Sequence, residues 1–126
     1  MNKIDSQVIV SIIRKRVGAS SALTQYEVAD RYYIETGDEI EPRTVRKTIE
    51  ELRFAGVPIL SSPHEPGGYY FPASIDDFYS WEKRELIKAK KQIAKIEPVR
   101  VGVIKMFRKT AIQQARDFGK RMLRVS

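Results

Sequence analysis

Apolar positions along the chain fall into five stretches of helical spacing and one pair of short alternating runs. Val8, Ile9, Ile12 and Ile13 make the two-wide stripe of an amphipathic helix, followed by Arg14, Lys15 and Arg16 and then Gly18. Cations in a last turn complement the negative end of the helix dipole, and Gly18 is expected to close this helix in a left-handed conformation. The basic triplet is read as a solvated helix end. Thr24-Gln25-Tyr26-Glu27 has the spacing of a capping box, with Leu23 placed to staple onto Val28. The second helix so begun turns Val28, Ala29, Tyr32 and Tyr33 inward or half-inward and ends at Gly37. Pro42 suits the first position of a third helix, where its missing donor has no intrahelical partner to lose. Val45, Ile49 and Leu52 give that helix its core stripe as far as Ala55, and Gly56 stops it.

The pattern then changes period. Val57 to Ser62 reads as a strand, residues 63–68 as a six-residue turn and Tyr69-Tyr70-Phe71 as the returning strand. Strand alternation puts Tyr70 on the face opposite its neighbours, with core packing expected for the run. Gly67 and Gly68 are read as glycines of a tight hairpin turn. Ser74-Ile75-Asp76-Asp77 opens a fourth helix, with Ser74 as cap and two carboxylates at the positive end of the dipole. Phe78, Glu82, Leu86, Ala89, Ile93 and Ile96 recur close to every 3.5 residues, the repeat of a coiled-coil seam with one polar member. Pro98 is expected to end or kink that helix. Ile104, Phe107, Ala111, Ala115, Phe118 and Met122 continue the seam on a fifth helix. Trp81 lies among charged residues and is read as packing against the N-terminal part rather than anchoring a partner.

Composition divides the chain where the pattern does. The formal charge is +7 over 126 residues. Residues 1–73 hold 9 Lys or Arg against 10 Asp or Glu, whereas residues 74–126 hold 14 against 6. The expected domains are therefore a nearly neutral module over residues 1–73 and a basic helical region over residues 74–126. There is no cysteine, which removes disulfides and thiolate metal sites. The longest apolar run, Val8 to Ile13, is interrupted by Ser11 and too short to span a bilayer, so the expected location is cytoplasmic.

Charge placement on the third helix gives the candidate chemistry. Taking about 100° per residue from Val45, Ile49 and Leu52 fall within about 40°, whereas Arg43 lies at about 160° and Lys47 at about 200°. Arg46 and Thr44 flank them at about 100° and about 260°. Arg pairs bidentately with the guanine edge, Thr meets phosphate or a thymine methyl, and Lys adds a mobile point charge. The same residues would also make an ordinary solvated face balanced by Glu50 and Glu51.

Pro42-Arg-Thr-Val-Arg-Lys-Thr-Ile-Glu-Glu-Leu-Arg-Phe-Ala-Gly-Val-Pro-Ile, followed by Gly67-Gly-Tyr-Tyr, resembles winged-helix DNA-binding proteins, including small phage- or prophage-encoded members. The resemblance spans roughly residues 5–72. It implies a mainly α fold with a small β-hairpin, a winged helix-turn-helix followed by two C-terminal helices. It also implies that Arg43, Thr44, Arg46 and Lys47 contact bases and phosphates, and that Thr24 and Gln25 meet phosphate at the start of the second helix. Residues 63–68 become the wing tip, which brings His64 and Gly67 into the DNA-binding set. This wing departs from the pattern, since it carries neither Arg nor Lys. His64 fits either an exposed loop residue or, when protonated, a phosphate contact, and the first reading is preferred.

One histidine, no cysteine and no phosphate-binding loop leave no converging nucleophile, base or metal set, so no enzyme, cofactor or metal site is expected. The expected function is DNA binding, as a transcriptional regulator or a phage-type replication or DNA-maintenance factor. Expected partners are double-stranded DNA, a second copy of the chain and other DNA-processing proteins, with no membrane. Dimerisation is expected through Leu86, Ala89, Ile93, Ile96, Ile104, Phe107, Ala111 and Phe118, although the two helices would equally make an intramolecular hairpin. Two competing functions are a protein-interaction module and a sequence-indifferent nucleic-acid binder acting through the basic helices.

Overall fold

The computed structural model describes residues 3–64 and 67–125, apart from the side chains of 109–112, 114 and 123–125. Among the described residues the chain is mainly helical with one two-stranded antiparallel hairpin. The order is α1 (Ser6–Arg14), a 3-10 turn at Ala19–Ser21, α2 (Gln25–Thr36), α3 (Pro42–Phe54), β1 (Leu60–Ser62), β2 (Gly68–Tyr70), α4 (Ile75–Ala94) and α5 (Ile96–Val125). The chain divides into two units, Met1–Arg84 and Glu85–Ser126, so the first extends past the change of composition near Ser74.

The first unit is built on one core. Ile9, Ile12 and Ile13 of α1 meet Val28, Ala29 and Tyr32 of α2 and Val45, Ile49 and Leu52 of α3, with Leu23 and Ile59 completing the cluster. Burying each of these aliphatic side chains stabilises the fold by roughly 1.5–3 kcal/mol before chain entropy is counted. Tyr32 is buried with its hydroxyl satisfied: it accepts from the Asp5 amide at 3.0 Å. The α2 start forms the full capping box, with the Thr24 hydroxyl accepting from Glu27 N–H and Glu27 Oε1 accepting from Thr24 N–H, both at 3.1 Å. Thr24→Ala is therefore expected to cost about 1 kcal/mol, and Thr24→Ser almost nothing, in thermal unfolding followed by Trp81 fluorescence.

The hairpin pairs Leu60 with Tyr70, Ser61 with Tyr69 and Ser62 with Gly68. Its other edge is also used. Tyr69 exchanges two backbone hydrogen bonds with Leu23, at 2.7 and 3.0 Å, and Phe71 bonds back to Arg16 and Gly18. These bonds account for several departures from the expected boundaries. Gly18 does not close α1. The helix ends at Arg14 with Lys15 as cap, because Arg16 to Gly18 leave it to pair with Phe71. Gly18 has φ 85° but begins the 3-10 turn instead. The first strand starts at Leu60 rather than Val57, since the Val57 and Ile59 amides are bonded to Leu52 O and Val57 O and Pro58 has no donor. The second strand starts at Gly68, which the expected six-residue turn had included, and residues 65 and 66 of that turn lie outside the described residues.

The second unit begins within α4, and Lys95 alone separates that helix from α5, its carbonyl accepting from Val99 N–H at 3.2 Å. Pro98 lies in the first turn of α5, where it has no N–H to return to Ala94, the last residue of α4. The expected break at Pro98 thus falls three residues earlier. One intervening residue is shorter than the two to five that join an antiparallel helix pair. No helix among the described residues is long and apolar enough to cross a membrane.

Candidate nucleic-acid interface

The position of α3 follows from its apolar stripe. Val45, Thr48, Ile49 and Leu52 are buried, and Thr48, the polar member, donates its hydroxyl to Thr44 O at 2.8 Å. With that stripe held in the core, Arg43, Arg46 and Lys47 are exposed on the outward side and Thr44 is half-buried between them. Pro42 occupies the first turn, and Glu41 precedes the helix without a side-chain cap bond. The Glu41 carboxylate instead accepts from Arg43 Nε at 2.9 Å, with the two side chains 79% and 69% exposed. Such an exposed pair is worth less than about 1 kcal/mol, so it leaves Arg43 available at little cost.

Arg46 flanks this face, about 100° from Val45 on the helix wheel. Burial pushes the Tyr69 hydroxyl of β2 above the usual phenol range, against the opposing charges of Arg53 and Arg46, with Glu50 adding to the upward shift. Arg46 and Arg53 of α3 thus oppose the effect of burial on Tyr69. The start of α2 meets β2 at Gly68. This residue has φ 125°, and a Cβ on it would lie 2.2 Å from Leu23 O, 2.3 Å from Leu23 C and 2.7 Å from Thr24 N. Gly68 is thus fixed by a close approach of backbones rather than by the hairpin turn alone. Gly67, at φ 72°, has its nearest foreign atom 3.4 Å from a built Cβ and is an ordinary turn glycine.

The structure brings the first four candidates onto one helix face and sets Thr24 beside β2, with Gln25 following it as the first residue of α2. Thr24 spends its oxygen on the cap but keeps a hydroxyl proton to donate, and Gln25 is half-buried in the first turn of α2. His64 is exposed in the loop, its amide 3.4 Å from Ser62 Oγ. The expected dimerisation residues belong to the other unit. Leu86, Ala89, Ile93, Ile96, Ile104, Phe107 and Phe118 are exposed, and the side chain of Ala111 lies outside the described residues.

Arg53 is the residue that pattern reading overlooked. It lies at about 80° from Val45 on the helix wheel, the edge of the apolar stripe. Its side chain is only 19% exposed. Nε donates to Ile59 O at 2.8 Å, Nη1 meets Glu50 at 2.6 Å, and the guanidinium lies over the rings of Tyr69 and Trp81 at 5.7 and 5.3 Å. It ties the end of α3 to Ile59 just before β1, to β2 and to the first half of α4. Tyr70 is buried and Tyr69 and Phe71 pack half-buried against the core, while Trp81 is half-buried beside Phe78.

No group of three or more His, Asp or Glu among the described residues is arranged to hold a metal ion. Comparison with known protein families, with curated proteins and with solved structures gives no match for this chain.

Proposed function

We propose that the first unit is a winged helix-turn-helix module that binds duplex DNA, with α3 entering the major groove and the hairpin lying beside it as the wing. The observation that carries this reading is the outward face of α3. Arg43, Arg46 and Lys47 stand with Thr44 over one and a half turns, on the side of α3 away from the buried stripe. Thr24 and Gln25 at the α2 start are suited to phosphate, by hydroxyl, amide and helix dipole. The wing adds little charge, since residues 63–67 include no Lys or Arg. A regulator of transcription and a phage-type replication or maintenance factor both fit this site.

The second unit supplies the long-range attraction. Residues 85–126 hold 12 Lys or Arg against 3 Asp or Glu, a local excess that draws in phosphate without reading sequence. From Leu86 onward every described side chain is exposed, including twelve large apolar residues at 42–72% exposure. Pairing with a second copy would cover that seam and set two α3 helices on half-sites of a pseudo-palindrome. Light scattering at tens of micromolar is expected to report a dimer, and Leu86→Glu/Ile93→Glu a monomer; a monomeric wild type would contradict the pairing.

The cation excess also favours a second reading, in which the tail alone binds nucleic acid without sequence preference. Selection of bound duplexes from a random pool by the full chain separates the two. Recovery of a common site, bound at least about a hundredfold more tightly than a scrambled duplex at physiological salt, is expected from a reading helix. Recovery of no common site, with affinity governed by salt alone, would overturn it in favour of the tail.

A further inference from the structure

The first unit contains a cleft that the proposed DNA face does not use. It has a volume of about 510 Å³ and is formed where the end of α3, the chain into β1 and the start of α4 meet. Val57, Ile59, Leu60 and Phe78 contribute to a predominantly apolar wall, and Arg53 is the one charged residue among its described lining. This size and composition are those of small-molecule sites, in which a few polar groups orient an apolar body.

Two donors at the cleft are unsatisfied. Arg53 commits Nε to Ile59 O and Nη1 to Glu50, but Nη2 is buried without a hydrogen-bond partner. Trp81 Nε1 is likewise buried without one. Both residues line the cleft, and the guanidinium lies over the Trp81 ring at 5.3 Å. Buried donors left unmatched are uncommon in folded proteins, and a guanidinium N–H and an indole N–H each suit a carboxylate.

We infer that this cleft binds a small amphipathic carboxylate, its hydrocarbon body against Val57, Ile59, Leu60 and Phe78 and its carboxylate accepting from Arg53 Nη2 and Trp81 Nε1. The inference is independent of the DNA reading, because none of these residues lies on the outward face of α3. The open donor selects the occupant: Arg53 is the one charged residue among the described lining, and with Nη1 paired to Glu50 its remaining Nη2 favours an anion over a neutral or cationic chain of the same length. Both donors are screened from solvent, so binding has to rearrange the Arg53–Trp81 pair, which Trp81 emission would register.

Trp81 is the chain's one tryptophan, which makes its emission a direct reporter. The test titrates the full chain with decanoate, decanol and decylamine, all optically silent. Decanoate is expected to change Trp81 emission saturably, with decanol weaker by about tenfold or more and decylamine weaker still. Arg53→Met should erase the preference for decanoate over decanol. Should Arg53→Met fail to fold, Ile75→Glu serves instead: Ile75 lines the cleft yet is 64% exposed, so a carboxylate there repels the ligand without disturbing the core. Weakening of decanoate but not decanol by Ile75→Glu supports the assignment. No saturable response to decanoate, equal responses to the three amphiphiles, or an unchanged preference in both variants would overturn it.

Discussion

Replacing Gly68 by alanine is expected to lower the midpoint of unfolding of the first unit by about 10 °C or more. The reason is geometric. The added methyl would sit 2.2 Å from Leu23 O and 2.7 Å from Thr24 N, both backbone atoms that cannot swing aside as a side-chain tip would. Relief requires lengthening the Leu23–Tyr69 hydrogen-bond pair, and Leu23 is itself buried in the core while Thr24 caps α2. The substitution also places a Cβ at φ 125°, a conformation disfavoured for any L side chain. Backbone strain and overpacking of this kind together cost about 2–6 kcal/mol. Gly67→Ala is the matched control: its φ of 72° is costly but its nearest foreign atom is at 3.4 Å, so a loss of about 1 kcal/mol is expected. Thermal unfolding followed by Trp81 emission reads the first unit directly, and equal midpoints for the two variants would show that the close approach carries no weight.

Reversing two charges on α3, Arg46→Glu/Lys47→Glu, is expected to weaken binding to a selected duplex by roughly 10²- to 10⁴-fold. Arg46 and Lys47 are the better pair to reverse because Arg43 already shares its charge with Glu41. Both side chains are exposed on the side of α3 away from Val45, Ile49 and Leu52, so stability should change by less than about 0.5 kcal/mol per site. The loss would therefore belong to the interface and not to the fold. Fluorescence anisotropy at fixed salt, beside a melting curve for the same variant, measures both. Unchanged affinity in a fully folded variant would move binding to the basic helices after Glu85.

What could be read from the sequence was local. The Thr24 to Glu27 capping box is a short-range signal, and both of its hydrogen bonds are present. Val45, Ile49 and Leu52 announce the buried side of α3 by spacing, and the outward placement of Arg43, Arg46 and Lys47 follows from it. What escaped depends on residues distant in the chain. Gly18 has the form of a helix stop until Phe71 is seen to draw Arg16 and Gly18 out of the helix. Gly68 passes for a turn glycine until Leu23 arrives against it. Thr48 is buried because Thr44 O accepts its hydroxyl, a pairing that hydrophobic spacing does not register. Arg53 has a charge that marks it as surface, yet its position at the edge of the stripe lets Ile59, Tyr69 and Trp81 enclose it. The seam of α4 and α5 was visible as period, but period does not name the surface that covers it.

The proposal that α3 reads the major groove is tested most directly by base-analogue scanning of a selected duplex. At each position one major-groove group is removed, as in 7-deazaguanine for guanine or uracil for thymine, and binding is measured for wild type and for Arg46→Ala. Expected is a loss of roughly tenfold or more at one or more positions for wild type, with at least one of those losses absent in Arg46→Ala. A wild-type affinity indifferent to every major-groove substitution, while still falling steeply with salt, would contradict a reading helix at Pro42–Phe54.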